Sequence, residues 1–210
     1  AVQVVFTTAP ELQSSLESLN PNTHLFGNVA DHEHFARAWR GPRPCPRALA
    51  QVPSPRLLFI GAIDAYKLDL PALTHLARQR SDWSIVLVGP IGEADPGTDV
   101  RALQACPNVH FIGPRPYREL PDWLANCDVG LLPLRLNSYT RNMFPMKFFE
   151  YLSAGVPVVA TTIPSLQGFE SAALLVYPGP ENLETGITKA LQGHGPPRAD
   201  RLALAQQHTY

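Results

Sequence analysis

Absences narrow the field first. No stretch of the 210 residues approaches the ~18 consecutive apolar residues needed to span a bilayer, so the chain reads as soluble as it stands. Residues 1–7 are too short, and carry no basic leader, to serve as a secretory signal. Cysteine is scarce: Cys45, Cys106 and Cys127 are odd in number and show no C-x-x-C spacing. That argues against a disulfide frame or a zinc site and fits a reducing cytosol. Neither sign of charge dominates, with 17 Lys and Arg against 18 Asp and Glu. A general nucleic-acid binder would show a basic surplus or stripe, so no nucleic-acid partner is expected. No G-x-S-x-G and no paired catalytic carboxylate stands out, and no Asp-x-Asp pair sits in a loop. No G-x-G-x-x-G follows the first strand, which disfavours a nicotinamide-binding domain.

What is present is a chain 45% hydrophobic and rich in proline, with 22 residues where the ~5% average would give about half as many. The length fits one large domain, or a domain with an appendage, able to bury a full core. The opening VQVVFTTAPELQSSLESL reads as a strand entering a helix, with Thr8 as N-cap and Pro10 and Glu11 in the first turn. A chain that begins in mid-unit reads as a piece of something longer. After the Pro-rich segment 41–55 a regular alternation sets in. A short strand at 23–27 and a helix near 32–39 precede that segment; after it strands are expected at 56–61, 83–89, 109–113, 128–134, 157–161 and 173–177, with helices around 69–80, 117–126, 145–154 and 181–192 between and after them. Short, wholly apolar strands alternating with amphipathic helices predict an α/β, Rossmann-like parallel sheet with helices on both faces. Ligands of such sheets bind beyond the carboxyl ends of the strands, which singles out the loops after 61, 89, 113, 134 and 161. Glycines at 61, 89 and 113 would equally serve tight turns.

Within this pattern FPMKFFEYLSAGVPVVAT, residues 144–161, holds the most informative chemistry. Pro145 suits a first helical turn, and Gly155 with Pro157 supplies the stop. Lys147 and Glu150, three apart, share a face. A lysine beside the positive end of a helix dipole is mildly unfavourable, by ~0.3–1 kcal/mol if exposed, yet becomes favourable once an anion arrives. Glu150, one turn deeper, suits a vicinal diol such as that of a ribose. The same pair also fits an ordinary intrahelical ion pair of ~0.2–0.5 kcal/mol, and charge alone favours that ordinary reading because such pairs are common.

That segment resembles the P-x-K-x-x-E-Y-x-A-x-G-x-P-V-V signature of the family 4 sugar-nucleotide glycosyltransferases, two-domain enzymes of the GT-B fold. NVHFIGPRPYRELPDWLANCDVGLLPL, PRLLFIGAIDAYKLDLPALTHLARQRSDWSIVLVGP and GNVADHEHF are similar to further parts of the family, so the resemblance covers about residues 1–192. The flavour is that of bacterial polysaccharide and teichuronic-acid-type transferases. The resemblance implies that Glu150 holds the ribose, that Lys147 contacts the diphosphate and that Met146 lines the same wall. It implies that the turn Gly113, Pro114, Arg115, Pro116 meets the base edge, with Tyr117 covering the ring. Tyr139, Thr140 and Arg141 would approach the donor sugar and phosphates, and Gly61 belongs to the same donor-binding set. Two positions depart from the family. Asn142 stands where the first glutamate of the E-x7-E motif is usual, and the glycine-rich loop appears as GAIDAYKLDL, in which Lys67 reads as an exposed helix-start lysine.

The resemblance also implies an organisation: residues 1–40 as the end of a preceding domain and linker, 41–55 as a connector, 56–192 as the nucleotide-sugar-binding domain and 193–210 as a tail with a C-terminal helix. The implied enzyme moves a sugar from a nucleotide diphosphate sugar to a glycan or lipid-linked acceptor held largely by the other domain. It needs no cofactor beyond this co-substrate and no metal, and would work in the cytoplasm, with peripheral association at the inner membrane face left open. A non-catalytic nucleotide-binding scaffold and a GT-B sugar-nucleotide epimerase remain alternatives. His32 and His34 in DHEHF read as polar loop histidines rather than metal ligands. Asp64 and Glu119 read as helix caps or solvated acids.

Overall fold

The structure, a computed structural model, describes residues 2–210. A small parallel unit comes first: strand β1 (Val5–Thr7), helix α1 (Pro10–Glu17) and strand β2 (Thr23–Leu25), with β1 and β2 paired. The expected Thr8 cap is not formed. Proline at the first helical position fixes the start, and the residue before it is Ala9, extended at φ −138° and ψ 143°, with no side-chain acceptor to offer. Helix α2 (His32–Ala36) follows, capped by Asp31, whose carboxylate accepts the His34 N–H at 3.0 Å.

The second part is a six-stranded sheet, all of whose neighbouring strands are parallel. In chain order it contains β3 (Arg56–Ile60), α3 (Leu70–Gln79), β4 (Ser84–Val88), α4 (Arg101–Gln104), β5 (Val109–Phe111), α5 (Leu120–Ala125) and β6 (Val129–Leu132). It continues with α6 (Ser138–Arg141), α7 (Lys147–Ser153), β7 (Val158–Thr161), β8 (Leu174–Val176), α8 (Pro180–Leu191) and α9 (Arg198–Gln206). The spatial order is β5-β4-β3-β6-β7-β8, a doubly wound sheet. The central strands β3, β4, β6 and β7 are buried almost throughout, as uninterrupted apolar runs require, whereas the edge strands β5 and β8 are half-buried. Helix α3 packs on α4 and α8, while α7 packs on α2 and α9, so both faces of the sheet are covered.

Helix α6 was not expected from the sequence. Asn137 accepts the N–H groups of Tyr139 and Thr140 at 2.9 and 3.0 Å, which folds four residues of an otherwise polar loop. The tail turns back on the rest of the chain: beyond α9 the His208 carbonyl accepts the Ala30 N–H at 3.0 Å. The His208 ring stacks on Phe149 of α7 at 4.2 Å and 12°.

Candidate functional site

Strand order reverses between β3 and β6, so the crevice beyond their carboxyl ends is where a doubly wound sheet receives ligands. The loops at this rim are fastened to one another. The Lys67 carbonyl accepts the Arg135 N–H at 2.9 Å and the Pro133 carbonyl accepts the Asp69 N–H at 2.9 Å. Arg135 Nη1 donates to the Ala65 carbonyl at 3.0 Å, and Asn137 Nδ2 donates to the Tyr66 carbonyl. The loop after β4 joins them, because Asp64 accepts the Ala94 N–H at 3.3 Å and Thr98 accepts the Ala65 N–H at 3.0 Å. Gly89 is needed here: at φ 148° its backbone runs against Gly61, and a Cβ would strike the Gly61 carbonyl. Asp64 is therefore a fully buried latch, paired with Lys67 Nζ at 3.2 Å, rather than a cap or a solvated acid. Lys67 in turn is a partly buried partner and not an exposed helix-start lysine.

Helix α7 is aimed at this crevice by one tyrosine. The β3–β6 ladder pairs only Leu57 with Val129 and Leu58 with Gly130, which leaves the Ile60 N–H without a strand partner. The Tyr151 hydroxyl, fully buried, accepts that N–H at 2.7 Å. Its ring lies against Gly130, where an added Cβ would come within 2.7 Å of the ring. Gly155, at φ 69°, ends the helix as its sequence position predicts.

With α7 so placed, Lys147 and Glu150 face each other. The ammonium donates to Oε1 at 3.1 Å and lies 2.9 Å from Oε2, with a hydrogen bond directed only at Oε1. Glu150 is buried at 4% exposure, and that burial raises its pKa despite the opposing influence of Lys147 and His34. Tyr117 belongs to the same neighbourhood: partial burial first, then the charges of Glu150 and Asp31, push its phenol up to about 12. Tyr117 is half-exposed, and its ring stacks on His34 of α2 at 4.6 Å and 11°.

The other expected site residues are distributed as follows. Met146 is exposed at the start of α7, and Arg141 is exposed in the last turn of α6. Asn142, half-buried, donates its side-chain amide to the Ser138 carbonyl at 2.8 Å. Thr140 departs from its expected place beside the donor: it is fully buried, and its hydroxyl accepts the Asn137 N–H at 3.0 Å and donates to the Arg135 carbonyl. It holds the α6 turn and has no face to offer a ligand. Pro116 is exposed and opens the single turn Tyr117–Glu119. Arg115 donates to the Ile112 carbonyl at 3.1 Å and lies 5.7 Å from the Trp123 ring. It lines a hollow of about 330 Å³ against Pro44, Pro46 and Arg47 of the connector. Gly61, half-buried, closes β3 with its N–H on the Val88 carbonyl at 2.9 Å.

The two histidines are not loop residues. His32 is buried with Nδ1 3.3 Å from the Ser153 hydroxyl, and His34 is held against Tyr117. Both lie on α2, within the helix expected near 32–39, which Asp31 caps. Tyr151 was also missed as a site-building residue, because a period of 3.6 marks it only as core.

Residues 54–193 match the family described as glycosyl transferases group 1. The chain belongs to this family. Among curated relatives of this group 1 glycosyltransferase chain is the teichuronic acid biosynthesis glycosyltransferase TuaH of Bacillus subtilis (strain 168), 31% identical over 169 residues. That alignment takes in 80% of this chain and 41% of TuaH. Among solved structures, HepE of Anabaena in complex with UDP-glucose matches with a TM-score of 0.74 at 17% identity, over 99% of this chain and 60% of HepE. A glycosyltransferase from Rickettsia africae ESF-5 matches with a TM-score of 0.74 at 16% identity, over 98% of this chain and 57% of that one. These two likenesses show the fold: the sheet is the Rossmann-like sheet of the C-terminal half of a GT-B glycosyltransferase. The group 1 chain spans about two-fifths of TuaH and three-fifths of the solved structures.

Proposed function

We propose that this chain is the donor-binding half of a glycosyltransferase that moves a sugar from a nucleotide diphosphate sugar to a glycan or lipid-linked acceptor. The observation that carries the reading is the Lys147–Glu150 pair at the switch-point rim. A pair kept for stability alone would sit in solvent; this one buries its acid so far that desolvation outweighs the lysine. Buried pairs are weak stabilisers, so the arrangement is better explained by a ligand. In this reading Lys147 meets the diphosphate, and Glu150 accepts hydrogen bonds from the ribose diol through oxygens that the ammonium only partly satisfies. Tyr117 flanks the base, Met146 lines the diphosphate wall beside Lys147, and Arg141 and Asn142 lie toward the sugar. Arg115, Pro116 and Gly61 serve through their backbones. As the leaving diphosphate gains charge, the fixed ammonium stabilises it, a preorganised contribution of roughly 3–4 kcal/mol for one donor in other enzymes.

UDP is the first nucleotide to test, since HepE is described in complex with UDP-glucose. The likeness to TuaH supports a role in cell-surface polysaccharide synthesis, in the cytoplasm or at the inner face of the membrane. Residues up to about 40 would then close the acceptor-binding half, with 41–55 as the connector, 56–192 as the donor domain and 193–210 as the returning tail. A non-catalytic nucleotide-binding module is the second reading, favoured by the neutral Asn142 in place of a glutamate.

Calorimetry of the chain against UDP, GDP and CDP tests the proposal, with Lys147→Ala and Glu150→Ala alongside. Hydrogen bonds to charged groups are worth ~1.5–3 kcal/mol, so each substitution should weaken binding by about 10- to 150-fold. No binding at millimolar nucleotide, or binding indifferent to both substitutions, would remove the reading. Transfer or donor hydrolysis by the full-length protein separates enzyme from scaffold.

A further inference from the structure

His34 lies outside the glycosyltransferase signature segment, yet it touches the base-side turn in two independent ways. Its ring stacks on Tyr117 at 4.6 Å and 11°, and its Nε2 donates to the Tyr117 carbonyl at 3.0 Å. Phe35, fully buried, closes the cluster edge-on, 5.0 Å from the His34 ring and 5.5 Å from the Tyr117 ring. The hydrogen bond to a carbonyl puts the ring proton of neutral His34 on Nε2 and leaves Nδ1 as an acceptor. His34 is itself held at its backbone, through the Asp31 cap.

The contacts join segments 83 residues apart in sequence. One partner is α2, which leads out of the small β1–β2 unit; the other is the turn expected to meet the base. An exposed tyrosine in a free turn would lose rotamer and backbone freedom when a ligand arrived, and that loss would weaken binding. Here the ring and the main chain of Tyr117 are both held beforehand, the ring by the His34 stack and the main chain by the His34 hydrogen bond, while the residue stays half-exposed. When protonated, His34 would also favour the ionised form of Glu150, the acid read as ribose-side.

We infer that His34 is a positioning residue of the donor site, through which the helix entering from the other half of the molecule holds Tyr117 and its turn in the shape that receives a nucleobase. The inference rests on the donor-binding reading above and extends it, because it makes donor occupancy and the seating of α2 mutually dependent: whatever tightens one tightens the other.

The test is a double-mutant cycle on the chain, read by calorimetry with the best binder among UDP, GDP and CDP, and with inorganic pyrophosphate as a ligand lacking the base. An aromatic stack plus one neutral hydrogen bond predicts that His34→Ala raises the nucleotide Kd by about 5- to 150-fold. Tyr117→Ala should do likewise, and the double variant should be no worse than the weaker single one. His34→Phe, which keeps the stack, should restore most of the affinity, and pyrophosphate affinity should move less than about twofold throughout. Nitrogen NMR of the unaltered chain should show the Nε2-protonated tautomer of His34. Unchanged nucleotide affinity in His34→Ala, equal loss of nucleotide and pyrophosphate, or the Nδ1-protonated tautomer would each overturn the inference. If the unaltered chain binds none of the three nucleotides, the donor-binding reading itself fails and this inference with it. If only the His34→Ala result is negative, that reading stands.

Discussion

Tyr151→Phe isolates one hydrogen bond at the centre of the fold. The substitution removes a single oxygen and keeps the ring that lies on Gly130, so the packing is left almost untouched. The Ile60 N–H then has no acceptor, since β3 and β6 stop pairing at Leu58 and Gly130, and at 4% exposure Ile60 is closed to water. Orphaning a buried backbone donor costs ~1–3 kcal/mol. For a chain of 150–250 residues each kcal/mol moves the melting point by ~2–4 °C, so Tm should fall by about 2–12 °C. Urea titration should show a lower midpoint with the slope unchanged, because the surface exposed on unfolding is the same. Burial holds the Tyr151 phenol well above its ordinary range, so it stays neutral and the loss should be constant between about pH 5 and 9. Tyr177→Phe, at a 77% exposed position, is the control and should lie within ~0.5 kcal/mol of the parent. If Tyr151→Phe matches that control, the hydroxyl is not what seats α7, and the account of how the site is positioned is wrong.

Three further outcomes follow from the same geometry. Burial raises the folded pKa of Glu150, so its contribution to stability is fully present below the unfolded carboxylate pKa and is lost as pH rises through the higher folded value. Glu150→Gln, which cannot ionise, should therefore gain stability relative to the parent as pH climbs from about 4 to 7 in denaturation curves, even as it loses nucleotide affinity. Asp64→Ala strips Lys67 of its partner and leaves the Ala94 N–H without an acceptor, and should cost ~3–5 kcal/mol by urea titration; a change under ~1 kcal/mol would deny it a latching role. Asn137→Ala removes the α6 cap and the bond to Tyr66, and should cost ~0.5–2 kcal/mol with faster amide exchange confined to the rim loops.

The sheet was legible because each central strand is a short apolar run between turn residues and the longer helices α3 and α8 bury one apolar face. The six strands lie within the expected stretches, and α7 ends at Gly155 as its sequence predicts. What escaped was structure made by single polar contacts between distant segments. The α6 turn depends on Asn137 capping its own successor residues, which periodicity does not register. His34 and Tyr117 meet across the chain, and neither neighbourhood hints at the other. Asp64 and Lys67 look like surface residues until the folded loops close over the acid. The Lys147–Glu150 spacing was readable, but its burial was not, and burial is what sets this pair apart from a common surface one.

The path of the tail has a mechanical consequence. Residues 30–36 are clamped from two sides, by α7 beneath and by the strand-like return of His208 and Thr209 alongside. Asn28 is tied as well, its side-chain amide on the Phe144 carbonyl at 2.9 Å. Between β2 and these ties lies Gly27, where an added side chain would meet nothing. The last turn of the polypeptide thus fastens the segment that leads out of the β1–α1–β2 unit, so trimming the tail would loosen that exit before it touched the sheet.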